Sequence, residues 1–161
     1  MSKKKSLLFA FGVEASEMFV FRAEDSKRDL LIIRRTGIDK LESELKCRFN
    51  YKSVTESSFG AGCNVTVVMT ADTLHLSVDG LPRVTQAIGS ANPLTIRGFG
   101  EHKTSGFVAD IAAKRAKHKC ILRLADLSQH DIYSEDESDD FIIVKNNVKD
   151  AVAEATKRTK V

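Results

Sequence analysis

The sequence predicts an α+β domain, an antiparallel β-barrel or sandwich capped by a C-terminal amphipathic helix. Three observations carry this. From residue 65 to 125, short strand-forming segments follow one another with turn signals between them, too closely for the crossover helices that parallel strands need. Near the end, Phe141, Val144, Val148, Ala151, Val152 and Ala155 recur at steps of three and four, the period of one helix face. A hydrophobic fraction of 42% over 161 residues is enough for one core, so a single domain spanning 1–161 is expected.

The elements follow in order. Residues 6–35 read as extended, because LLFAF (7–11) and MFVF (18–21) are rich in strand formers and a polar break at 24–29 precedes Leu30-Leu-Ile-Ile33. That last run is too short for periodicity to separate a third strand from the start of a helix. A helix then follows, with Thr36 as its cap, Asp39 three residues on, and Ile38, Leu41, Leu45 and Phe49 along one face, so the loosely patterned N-terminal part covers 6–49. Residues 50–64 hold Ser, Thr and Gly with little apolar periodicity and read as a loop.

The strand run 65–125 begins with VTVVMT (65–70), a turn at 71–73, and Leu74, Leu76 and Val78 alternating with polar residues as far as Asp79-Gly80. Strands at 84–88 and 94–99 flank a turn at 89–93. The segments FVADIA (107–112) and CILRL (120–124) then enclose a basic knot, Lys114, Arg115, Lys117, His118 and Lys119, which reads as the solvated turn of a hairpin. An acidic linker at 134–140 leads into the last helix, 139–158, whose first turn holds acids where the helix dipole favours them.

Composition narrows function mainly by exclusion. Lys and Arg number 25 against 22 Asp and Glu, a formal +3, and there is no Trp and only two Tyr, so neither the charge nor the stacking aromatics of a nucleic-acid binder are present. The three cysteines, Cys47, Cys63 and Cys120, form no CxxC motif, and the four histidines form no HxH or HxxxH pair, so no metal and no cofactor is indicated. The 98–104 stretch GFGEHKT has its glycines too close together for a phosphate loop. His118 and Cys120 would share a face on a strand, but Cys120 opens an apolar run and reads as a buried structural thiol. No catalytic constellation emerges, and a non-enzyme is expected. The short apolar run after Lys3-Lys4-Lys5 is unlike a signal or membrane-spanning segment, which points to a cytoplasmic protein.

Three stretches resemble the phosphotyrosine-binding (PTB) domain, the peptide-binding branch of the pleckstrin-homology superfold. They are VTVVMTADTLHL (65–76), NPLTIRGFGEHK (92–103) and GFVADIAAKRAKHKCILRLAD (106–126), with the last helix where the family has its own. The resemblance implies an adaptor or scaffold module for signalling. In that family an extended peptide, often Asn-Pro-x-Tyr-like, adds a strand to the sheet and is covered by the C-terminal helix; backbone hydrogen bonds supply affinity and side-chain pockets selectivity.

Carried over by position, the peptide site is Leu94, Ile96, Arg97, Gly98, Phe99 and Gly100 on one wall and Phe141, Val144, Val148 and Val152 on the other. Arg97 stands where an apolar residue is usual, and Gly98 and Gly100 flank Phe99, so the ligand need not be a standard Asn-Pro-x-Tyr peptide. Phosphotyrosine needs two or more converging basic groups; Arg97 and Lys103 are the candidates, and phosphorylation-independent binding is expected. Related domains also bind acidic phosphoinositides. This gives a second reading, a peripheral visit to acidic phospholipid through Lys103, Lys114, Arg115, Lys117 and Lys119. A third is a structural subunit or homo-oligomer, with the groove filled by another copy or a fixed partner.

Overall fold

The structure is a computed structural model that describes residues 2–22, 29–59, 62–76, 82–93, 95–96 and 105–138. It is α+β, built from two three-stranded sheets and three helices of more than one turn, and among the described residues the sheets do not close into a barrel. The predicted C-terminal helix 139–158 and most of the predicted strand 94–99 lie outside the described residues.

The first sheet joins β1 (Met18–Arg22) and β2 (Asp29–Ile33) as an antiparallel pair, and β2 pairs in parallel with β6 (Ile132–Ser134). Leu30 to Ile33 is therefore a strand. Leu31, Ile32 and Ile33 are fully buried, as expected of a central strand covered on both faces. Residues 7–11 are not a strand: α1 (Ser2–Ala10) is helical through this run and buries Leu8. Next, α2 (Arg35–Leu45) presents Ile38, Leu41 and Leu45 to the core, the stripe expected from the sequence. Its cap is Arg34 rather than Thr36, and it stops at Leu45 because Lys46 adopts a left-handed backbone conformation (φ +48°), which places Phe49 in the following strand.

The second sheet is an antiparallel meander of β3 (Cys47–Phe59), β4 (Gly62–Leu76) and β5 (Pro82–Ala91), in the order β3-β4-β5. Two expectations are corrected here. Residues 50–64 form most of a long hairpin rather than a loop, and β4 runs without interruption through 71–73. Ala71 and Thr73 point inward, while Asp72 points outward and pairs with Arg48 of β3 at 2.8 Å, so the charged residue decorates the outer face instead of breaking the strand. Likewise β5 continues to Ala91, and the turn begins at Asn92, which accepts the Thr95 N–H (3.1 Å) on its side-chain oxygen.

The largest correction concerns residues 105–124. They are one helix, α3 (Ser105–Leu124), not two strands around a basic turn. Its middle, AAKRAK, contains strong helix formers and none of the Gly, Pro, Asn or Asp that a hairpin turn requires. The helix lies on β4 and β5, and it buries Val108, Ala112, Ala116, Cys120, Ile121 and Leu124 in one core with Val65, Val67, Met69, Ala87 and Ala91. Small residues set the distance between the layers. A Cβ on Gly89 would overlap the backbone of Ala112 and Ala116, so glycine here allows the sheet to touch the helix backbone.

Candidate functional site

Leu94, Arg97, Gly98, Phe99, Gly100, Lys103, Phe141, Val144, Val148 and Val152 lie outside the described residues. Ile96 is described: it sits in a bend after the Asn92 turn and is 8% exposed, committed to the core rather than offered to a ligand.

The basic residues of α3 do not converge. Arg115, 3% exposed, donates to the carbonyls of Ser90 (2.8 Å) and Thr95 (2.7 Å) and to Thr95 Oγ1 (3.3 Å), thereby pinning the end of β5 to the turn that follows. Lys117 pairs with Glu42 of α2 at 2.8 Å and lies 5.1 Å over the Phe49 ring. His118 is buried, with Nδ1 3.0 Å from Asp136 Oδ2, and its proximity holds the Asp136 carboxyl below the usual carboxylate range. Lys114 is half-buried, and Lys119 lies on another side of the helix, in a groove described below. A membrane patch needs its cations on one exposed face; here helical geometry sends them toward α2, the β5 end and the groove. The lipid reading therefore loses the turn on which it was built.

Nor do His118 and Cys120 pair as a couple. His118 and Cys120 are about 200° apart around α3, not on one face; Cys120 turns its thiol toward the Met69 carbonyl, 3.6 Å away, and burial raises its pKa. Burial also pushes the Cys47 thiol up to about 11, which leaves it a poor nucleophile. Among the described residues, no three His, Cys, Asp or Glu are placed to hold a metal ion, and no helix is long and apolar enough to cross a membrane.

The acidic segment is more ordered than a solvated linker. Residues 135–138 are helical, and Ser134 caps them: Glu137 accepts hydrogen bonds from the Ser134 N–H and Oγ, both at 3.0 Å, the reciprocal half of a capping box. The Ser134-x-x-Glu137 spacing that signals this start is present in the sequence. Ser134 and Ser138 are both buried, which removes them as accessible phosphorylation sites in this fold.

What the structure brings together is a groove of about 450 Å³ that sequence reasoning did not locate. Gln86, Ala87 and Ile88 of β5 form one wall and Ile132 and Tyr133 of β6 the other, with Lys119, Leu122 and Arg123 of α3 between them. Among the described residues both strands are terminal in their sheets. Arginines reach the β5 edge from α3: Arg123 donates to the Gln86 carbonyl, as Arg115 does to that of Ser90. The period-two geometry of a strand turns the backbone of Ile88, midway between them, toward the same side. Ile88 is 53% exposed, whereas Ile132 is fully buried at the base of the opposite wall. Glu137, also in the lining, is engaged by Ser134; of the lining cations, Arg123 donates to a backbone carbonyl and Lys119 stands beside it.

No family model matches the chain, and no curated protein is similar to it in sequence.

Proposed function

We propose that this chain is a non-catalytic protein-interaction module that takes an extended peptide by strand addition, as the PTB resemblance implied, but in the groove between β5 and β6. One observation carries the reading: two terminal strands of different sheets border the same groove, with Ile88 offering its backbone between two carbonyls already held by arginine. A strand laid there would gain main-chain hydrogen bonds on the β5 side, where regular pairing gives affinity with little dependence on sequence. Selectivity would come from an apolar side chain set against Ile88 and Leu122 and an acidic one facing Lys119. Of the two lining cations, Arg123 already spends a guanidinium N–H on the Gln86 carbonyl, so no uncommitted arginine fork faces the ligand, which supports phosphorylation-independent binding.

The test is selection from a display library of unphosphorylated peptides, followed by titration of the winners. Expected are micromolar ligands that shift the backbone amides of residues 86–88 and 132–133, bind at least tenfold more weakly to Ile88→Arg, and lose binding when alternate peptide amides are N-methylated. Binders that perturb other residues, or that tolerate N-methylation throughout, would sink the proposal.

A further inference from the structure

The opposite edge of the second sheet invites a different partner. Among the described residues β3 pairs only with β4, and residues 50–57 are exposed on both faces. Because α3 covers β4 and β5, it leaves Tyr51 (64% exposed) and Val54 (58% exposed) uncovered on the helix side of the sheet. Lys52 is the extra residue of a β-bulge, where the ladder to β4 shifts between Tyr51 and Ser53. Bulges and lysines are the usual guards of a strand edge, since an unguarded row of N–H and C=O groups accepts any other strand.

Here the guard is matched four residues later. Between Phe49 and Phe59 the only charged residues are Lys52 and Glu56, placed symmetrically about Val54. In an antiparallel pair of identical strands the two-fold axis fixes which residues face each other. Only an axis at Val54 sets Lys52 of each copy opposite Glu56 of the other, with the two Val54 side chains meeting at the centre. Cross-strand pairs of opposite charge and of β-branched residues both favour that register, while like charges disfavour others. The same lysine that repels a basic edge thus selects a copy of its own chain.

We propose that a second copy of this chain pairs with β3 about an axis at Val54, joining the two meanders into one six-stranded sheet. The axis runs perpendicular to the sheet, so both α3 helices lie on the same face and the four exposed Tyr51 and Val54 side chains line a trough between them. This surface is independent of the β5–β6 groove. One short strand pair buries less than a standard interface, so the association is weak, with a dissociation constant on the order of tens of micromolar.

Sedimentation velocity on the full chain, from about 5 to 500 µM at low and high salt, tests this directly. Expected is a monomer–dimer equilibrium that weakens with salt, weakens at least tenfold in Lys52→Glu and in Glu56→Lys, and returns to within about threefold of the parent in the double charge swap. These residues are exposed, so circular dichroism should show all three variants folded. A parent chain monomeric throughout, a Lys52→Glu variant that associates unchanged, or a double swap no tighter than the single variants would each overturn the proposal. So would a dimer abolished by Ile88→Arg but not by Lys52→Glu, which would place the second copy in the groove.

Discussion

The two edges of the β3-β4-β5 sheet are managed in opposite ways. At β5 the α3 helix sits against the strand, Gly89 admits its backbone, and Arg115 and Arg123 hold the carbonyls of Ser90 and Gln86. Even the reverse contact exists: Arg83 of β5 donates to the Leu124 carbonyl at 2.8 Å, satisfying an acceptor that the end of α3 leaves open, and pairs with Asp126. Along β3 residues 50–57 are exposed, and among the described residues a bulge and one lysine guard that edge. One edge is stitched into the core and the other is left to solvent, so stability and self-association should map onto different strands.

Substitutions can break that contrast, beginning with the largest effect. Gly89→Ala forces a methyl into the α3 backbone and should cost about 3 kcal/mol or more in urea unfolding, whereas Thr55→Ala on β3 should stay within about 0.5 kcal/mol. Arg115→Met keeps much of the side-chain volume but strands the Ser90 and Thr95 carbonyls, for an expected loss of about 2 kcal/mol and faster amide exchange at 90–95.

The smallest effect concerns the short helical turn 135–138 that follows β6. Asp136 is held below its usual pKa chiefly by His118, so its contribution is present above the unfolded carboxylate value near 4 and is lost as pH falls through the lower folded value. Asp136→Asn should therefore cost about 1 kcal/mol at pH 6 and flatten the stability curve below about pH 4. An acid limb unchanged by the substitution would mean that another carboxylate governs it.

The sequence was legible where burial imposes a pattern. β1, β2, the Ile38-Leu41-Leu45 stripe of α2, and the cores of β4 and β5 all carry β-branched or periodic apolar residues because one or both of their faces are covered. β3 was hidden because a strand wet on both faces has no alternation to show, and its Ser, Thr and Asn residues mimic a loop. α3 was misread for the opposite reason: it is buried around much of its circumference, so apolar residues at both ends, such as Val108 and Ile121-Leu122, simulate strand runs. Its helix-forming middle, and Gly89 inside a strand, were the signals that could have corrected the reading. The groove was illegible altogether, since it is made by residues 86–88 and 132–133, which only the fold brings together.

The parallel pairing of β2 with β6 also governs how the molecule is made. Leu31 finds its partner, Ile132, about a hundred residues later, while the β3–β4 hairpin closes over a two-residue gap. Closing the longer loop has the greater entropic cost and the slower rate. On a ribosome the meander can zip up as it emerges, but the sheet nearest the N-terminus must wait for nearly the last of the described chain. Until then the β2 edge of Leu31, Ile32 and Ile33 stands open, and a nascent or truncated chain ending before residue 132 would carry its stickiest strand uncovered.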